Sequence, residues 1–478
     1  MTRAVDGELC LNIAPLSGLD QRRTDLRYAA YAENADTRDS TALCPHRAPL
    51  QVFEPLPRPI GTLASFHRRY GAPPGQQDAL VAAAGGCLYR LVDEEEGWVS
   101  IASGYACDDW DFVTYEVNRD PENAATPQDV LLMSNARDGM ICVFGDDFHV
   151  ETVQTPKKFG VICRHAERIW GGAIPGDPDM LVYSAPYDPF NWAQNDEIPE
   201  DGAGDILQPS WDGDGFVALR GWGEYLLAFK RDTVWRVLGT DPGQYTLRQQ
   251  YGKDGPVAEN TIASEGERVY MLCSQGVSVY AGVGVQPWQS DAARDVFARI
   301  TPAARGGAAA TVWRHCYLLA LPLDGSDTNN ALLVYDAQAD SWMLRTGICA
   351  AAFCSHGERM LFTSATQPGR VYALDEGEAQ RLTWVSPWVD LGVPQVTKSA
   401  FRIHASVQAA QALAMDVAVQ TERGAVRRAL RVPADSQKTL TLPIPARGKR
   451  FRLMVIAPPG IPWRMPGGIT LRLDMDGD

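Results

Sequence analysis

The sequence lacks a long apolar run. Its longest, around Cys316 to Pro322, is far short of the roughly 20 residues that cross a bilayer. Met1 to Leu16 holds no apolar stretch of the kind that forms a signal-peptide core, so no secretory signal is expected. Paired cysteines are missing too. The 10 Cys form no CxxC, and the nearest two are Cys349 and Cys354, which leaves no clustered zinc site. Cys142, Cys163 and Cys316 sit inside apolar, strand-like runs, as small buried hydrophobes do in a reducing compartment.

Dense basic runs are absent as well. Lys+Arg is 44 against 59 Asp+Glu, a formal net charge of −15, which repels nucleic acid at long range. The richest basic cluster, Arg447 to Arg452, alternates with apolar residues as a strand would. Tight phosphate-driven DNA binding is therefore not expected as the main task. Lysine is scarce beside arginine; that suits bidentate pairing at subunit contacts, and it also follows from a GC-rich genome.

The usual signatures of catalysis do not occur. His46, His67, His149, His165, His315, His356 and His404 contain no HExxH-type pair. No Gly-x-Ser-x-Gly elbow and no phosphate-cradling glycine loop ending in Lys-Ser or Lys-Thr is present. Gly171–Gly172 falls between strands rather than at a helix start, so it gives no nucleotide site. No catalytic, cofactor-binding or metal residue is assigned from the sequence.

What the chain does have is turns and aromatics: 43 Gly, 32 Pro and 13 Trp, with few helical patterns, which points to an all-β protein. At 478 residues it has room for several domains and a real core. A unit recurs, in which an apolar strand, a small or Gly-rich turn and a second strand end in an aromatic. The aromatic anchors are Tyr89, Phe144, Tyr183, Trp235, Tyr280, Tyr335 and Tyr372, spaced 37 to 55 residues apart. That period fits propeller blades. The clearest unit runs from Phe216–Leu219 through Gly221–Trp222–Gly223 to Tyr225–Phe229 and Thr233–Val237. Ala331–Asp336 leading to Trp342 resembles a kelch blade. One such meander cannot bury both its faces, whereas radial stacking can. Two stacked β-sandwiches would show similar spacing.

The expected architecture is all-β. It comprises an irregular N-terminal docking arm (1–55), a β-propeller of about six or seven blades (56–380), a linker (381–395) and a small C-terminal β-sandwich (396–478). Phe401–Val407, Arg450–Ile456 and Ile469–Leu473 are its sandwich strands. One short helix is expected after Ser290, with Ala292, Val296, Phe297 and Ile300 on one face and Ser290 or Asp291 as cap.

Three acidic spots invite a catalytic reading. Asp212–Gly213–Asp214–Gly215 begins like a calcium loop, but Phe216 stands where an oxygen ligand belongs. It also approaches the sialidase Asp-box, with Asp214 where that box has Gly. Asp108–Asp109 and Asp146–Asp147 are adjacent acids, which read as solvated turns. The tryptophans could build a sugar-binding surface, yet most lie at strand positions that a blade core expects.

Several segments, taken in order, carry a family resemblance. They are His165–Ala166–Glu167–Arg168–Ile169–Trp170–Gly171–Gly172, Asp177–Pro178, Val182–Tyr183–Ser184 and Asp188–Pro189–Phe190–Asn191–Trp192. Asp212–Gly215, Gly223–Leu226, Phe229–Lys230–Arg231, Val234–Arg236 and Gly255 through Pro287 continue the series. Pro15–Leu19 and Ser386–Gly392 fit more loosely, and the segment between 56 and 140 does not share the pattern. Together they resemble the tail hub, or tail nozzle (head-stabilisation), proteins of tailed bacteriophages.

The resemblance implies a non-enzymatic virion protein, assembled in the bacterial host cytoplasm and located in the virion tail. It implies a ring of self-copies, usually a hexamer, below the portal and adaptor. Such a ring continues the DNA exit channel and anchors fibres, spikes or a needle. Six copies at −15 would carry roughly −90, which lets passing DNA slide without tight binding. A carbohydrate-active propeller enzyme or depolymerase and a kelch- or WD-like interaction scaffold are the alternatives. A deep pocket with converging acids would count against the structural reading.

Overall fold

The computed structural model describes residues 4–5, 8–11, 29–36, 42–70, 72, 75–93, 95–118, 127–208, 214–239, 242–252, 254–288, 293–435 and 439–475. The chain is a β-propeller with a C-terminal β-sandwich, and the propeller has seven four-stranded blades. Blade 1 is Ile60–His67, Asp78–Ala84, Cys87–Leu91 and Trp98–Ser103. Blade 2 is Asp111–Asn118, Pro127–Asn135, Gly139–Phe144 and Val150–Val153. Blade 3 is Val161–His165, Arg168–Gly172, Met180–Tyr183 and Gly204–Leu207. Blade 4 is Ala218–Trp222, Tyr225–Phe229, Val234–Leu238 and Thr246–Gln249. Blade 5 is Ala263–Glu265, Arg268–Cys273, Gly276–Tyr280 and Val285–Pro287. Blade 6 is Ala309–Trp313, Cys316–Leu321, Ala331–Asp336 and Ser341–Thr346. Blade 7 takes Ala350–His356, Arg359–Ser364 and Val371–Ala373 from its own stretch of chain.

The fourth strand of blade 7 is Leu50–Val52, which pairs antiparallel with Val371–Ala373. The arm expected to be irregular therefore closes the propeller: a strand from the start of the chain completes the last blade.

The second strand of each blade is covered on both faces by neighbours, which removes the polar alternation of a half-exposed strand. The period of 2 survives as a division between partners. In Asp78–Ala84, Leu80, Ala82 and Ala84 join the core against blade 7, while Ala79, Val81 and Ala83 join the core against blade 2. In Pro127–Asn135, Val130 and Leu132 face blade 3, and Leu131 and Met133 face blade 1. Each blade junction has its own apolar cluster, including the one between blades 7 and 1, so the ring is closed.

The joint between propeller and sandwich also differs from the sequence reading. Tyr31–Glu33 lies between Ser341–Thr346 of blade 6 and Leu382–Val385, a strand inside the supposed linker. Phe451–Ala457, Leu413–Thr421 and Gly424–Val432 follow. One nine-stranded sheet thus runs from the inner strand of blade 6 to the far edge of the sandwich. The second sandwich sheet is Ala4–Val5, Glu8–Leu11, Ile469–Met475, Lys398–Ser406 and Thr439–Gly448. Between the sheets lies an apolar core that includes Trp384, Ile403, Val417, Leu453 and Leu471.

Polar groups fix the arm in place. The Asn34 carboxamide donates to the Arg381 carbonyl (2.9 Å) and accepts from the Thr346 N–H (2.9 Å). Arg345, 1% exposed, donates to Asp375 (2.7 Å) and to the Arg47 carbonyl (3.0 Å). The expected short helix is Arg294–Phe297, with Val296, Phe297 and Ile300 buried. Its proposed caps Ser290 and Asp291 lie outside the described residues, as do Ala292 and Pro15–Leu19.

Candidate functional site in the axial channel

The innermost strands surround a channel to which several small residues contribute. Gly61, Gly160, Ala218, Ala309, Ala310, Ala351 and Ala352 contribute from five of the blades. Two connected cavities of about 270 and 220 Å³ share Asp109, Trp110, Asp111, Arg220 and Asn260. Glu259 lines the larger one. Carboxylates from blade 2 and from the entry to blade 5 thus converge with a guanidinium from blade 4. Among the described residues no serine, cysteine or histidine lines these two cavities.

The local chain explains the placement. Asp108 caps the turn of blade 1, accepting from Gly85 N–H (2.7 Å) and Gly86 N–H (2.8 Å). Gly61 has to be glycine, because a Cβ there would overlap the Asp108 carbonyl. Trp110 enters the blade 1–2 core, while Asp109 and Asp111 on either side of it line the channel. The Asp111 carboxylate accepts from Ile162 N–H (2.9 Å) and has Arg220 at 4.0 Å. Burial pushes the Asp111 carboxyl above its ordinary value, against the pull of Arg220 and two backbone N–H groups. Asp109 is raised as well, first by burial and then by the charges of Glu259 and Asp111. The channel can receive a cation or a group rich in hydroxyls, and it can hold a proton on Asp109.

Asp108–Asp109 forms an accessible bend, in line with the sequence reading; Asp108 caps the neighbouring turn, and the exposed Asp109 also lines the channel. The signal was present in the sequence. Asp109 and Asp111 stand two apart at the start of an apolar strand, a spacing that puts both on one side. The convergence of Glu259 could not be read, because it comes from another blade.

The remaining candidates stay apart from the channel. Asp212 and Gly213 lie outside the described residues. Asp214 accepts weakly from Asp232 N–H (3.2 Å), and Gly215 packs on Pro178. Asp146 and Asp147 form an exposed turn. His149 joins them, with ligand-type atoms of all three within 4.8 Å. Its Nδ1 is already hydrogen-bonded to Asp147 Oδ1 at 2.5 Å. Cys142 and Cys316 are buried and Cys163 is half-buried; none of the three is in a disulfide.

The segment that carried the resemblance is structural. Ala166 (φ 48°) and Glu167 (φ 57°) make the left-handed turn between the first two strands of blade 3. Arg168, 3% exposed, donates to the carbonyls of Ser184 (2.7 Å) and Gly202 (2.6 Å) and to that of Glu200. Gly171 leaves room for the Phe159 ring.

No protein-family model matches the chain, and no curated protein matches it in sequence. Solved structures resemble it in fold. BamB from Moraxella catarrhalis is 8% identical, with a TM-score of 0.40 over 70% of this chain and 97% of that one. The Neurospora crassa Pan2 WD40 domain is 11% identical, with a TM-score of 0.39 over 70% and 99%. The extracellular domain of a putative hybrid two-component system from B. thetaiotaomicron is 8% identical, with a TM-score of 0.43 over 83% of this chain and 47% of that one.

Proposed function

We propose that this propeller scaffold is a structural subunit of a tailed-phage virion, a tail hub or nozzle. In that reading copies form a ring, expected to be a hexamer, below the portal and adaptor. The ring continues the DNA exit channel and anchors fibres, spikes or a needle. One observation carries the reading: the nine-stranded sheet that joins blade 6 to the sandwich. A piece with broad faces suits a part that transmits load between neighbours. The ordered motifs of blades 3 to 5 support it too, since in this structure their described residues build turns and blade packing. Mass photometry of the purified chain, alone and mixed with its adaptor ring, tests it. A ring or an adaptor-bound complex is expected, and a strict monomer that never joins the adaptor overturns it.

The acids of the axial channel favour a second reading, a carbohydrate-active propeller. Cleavage of capsular or cell-wall glycans that Asp109→Asn or Glu259→Gln abolishes would establish it in place of the first.

A further inference from the structure

Charge is divided unevenly along the chain. Residues 396–478 carry 13 Lys and Arg against 6 Asp and Glu, a formal +7. Residues 1–395 carry 31 against 53, a formal −22. Part of each excess is concentrated at a definite place.

The basic one lies at the outer end of the nine-stranded sheet. Gly424–Val432 is its last strand, five strand steps out from Ser341–Thr346 of blade 6. At about 4.8 Å per step that is roughly 24 Å, well beyond a Debye length of about 8 Å. Leu430 and Val432 turn into the sandwich core. Arg427, Arg428 and Arg431 are exposed. Across the ladder, Arg427 faces Ala418 and Arg431 faces Ala414. Among the described residues none of the three has a carboxylate partner; Arg428 donates only to the Arg427 carbonyl (2.9 Å).

The acidic one lies on the rim of blade 3. Asp196, Glu197, Glu200, Asp201 and Asp205 fall in a stretch, 195–207, without a single Lys or Arg. All five are exposed. The backbone beneath them is held still. Arg168 grips the Gly202 and Glu200 carbonyls, and Asn195 Oδ1 accepts from Glu197 N–H (3.1 Å) and Ile198 N–H (3.0 Å). Arg168 spends its donors on backbone oxygens, so the carboxylates stay unpaired among the described residues. Ile198 (50% exposed) and Leu207 (55% exposed) stand among them, the latter on the outermost strand of blade 3.

Blade 3 is three blades away from blade 6 in a ring of seven, so the sandwich cannot reach this rim in its own molecule. We propose that the basic outer strand of the sandwich docks on the acidic rim of blade 3 of a second copy. The proposal rests on the multi-copy reading above and specifies which surfaces meet. The contact is heterologous. It leaves one free site of each kind on every copy, so association continues until a ring closes or a filament grows. A second copy is the occupant that the charges favour, because it presents an exposed patch of five carboxylates with Ile198 and Leu207 among them, complementary to a basic strand at contact distance.

The test uses the full chain and two charge-reversed variants. One carries Arg427→Glu, Arg428→Glu and Arg431→Glu; the other carries Asp196→Lys, Glu197→Lys and Glu200→Lys. Self-association is measured by mass photometry at low and high salt, with thermal melts to confirm folding. Each variant should weaken association at least ~10-fold at low salt, with a smaller loss at high salt. A chain carrying both sets, with the polarity exchanged, should associate again. If the variants assemble like the parent, the contact lies elsewhere and the proposal fails while the ring reading stands. If the parent stays monomeric with and without its adaptor, both fail. If the arginine variant assembles normally but loses duplex-DNA binding in fluorescence anisotropy, the strand is a polyanion site and the proposal fails.

Discussion

Lys230 Nζ lies 2.5 Å from Asp179 Oδ1 and joins the end of the second strand of blade 4 to blade 3. The lysine side chain is wholly buried, with its ammonium over the rings of Phe216 (4.9 Å) and Trp235 (5.9 Å). A desolvated ammonium needs its counter-charge, so removing one partner leaves the other stranded. Asp179→Ala should therefore lower stability by about 3 kcal/mol, read as a fall in Tm by calorimetry. Replacing the pair together, Lys230→Met with Asp179→Leu, should recover most of that loss. If the single and the double variants melt alike, the pair does not hold the blades.

His46 titrates against the fold. It is buried where the arm meets blades 6 and 7, with Arg345 beside it and Asp375 at 3.3 Å. Burial first, and the Arg345 charge second, hold its imidazole below the ordinary value; Asp375 and Asp36 oppose this and are outweighed. As pH falls, the unfolded chain takes up this proton before the folded one. Stability present above about pH 6.5 is therefore lost as pH drops towards the folded value, at up to about 1.4 kcal/mol per pH unit. The difference in Tm between about pH 7 and pH 5 should be smaller in His46→Gln than in the parent. An equal difference in both would clear His46 of this role.

What the sequence revealed, and what it hid, divides by range. The seven aromatic anchors each fall on the third strand of a blade, from Tyr89 in Cys87–Leu91 to Tyr372 in Val371–Ala373. That regularity was legible because a blade is a local meander repeated. The arm was not. Tyr31–Glu33 and Leu50–Val52 are strands of three residues, too short to show a period. They become strands only because Trp384 and Tyr372, more than three hundred positions later, offer ladders. Leu382–Val385 reads as linker in the sequence for the same reason: its pairing is with distant chain. Asp109 and Glu259 meet across the axis, where only closure of the ring brings them together.

The strand Leu50–Val52 should matter more than its length suggests. Without it Val371–Ala373 becomes an open edge, and Val52 and Phe53 leave the apolar cluster between blades 7 and 1. A chain beginning at residue 56 also loses the contacts of His46 and of the Arg47 carbonyl with Arg345. Its blade 7 should lose more than about 2 kcal/mol of stability. Limited proteolysis should then cut first between 350 and 380. An unchanged cleavage pattern would show that the ring closes without this strand.

The axial acids can be separated from the scaffold by charge alone. The raised carboxyl of Asp109 means that the folded chain holds this proton more tightly than the unfolded chain does. Its contribution to stability is present at low pH and lost as pH rises through the folded value. At neutral pH the ionised group faces Glu259 and Asp111 across the channel, and Arg220 stands nearer to Asp111 than a simple acidic ring would allow. Asp109→Asn keeps the shape and removes one of the like charges. It should raise Tm slightly at pH 7 to 8, since Asp109 and Glu259 are both exposed and solvent screens their repulsion, and have no such effect near pH 4. Arg220→Met should do the reverse, because Asp111 then loses its only nearby cation among the described residues. If Asp109→Asn instead destabilises at neutral pH, the carboxylate is holding something in the channel. Adding divalent cations or oligosaccharides during the melt would then show which, through a rise in Tm confined to the parent.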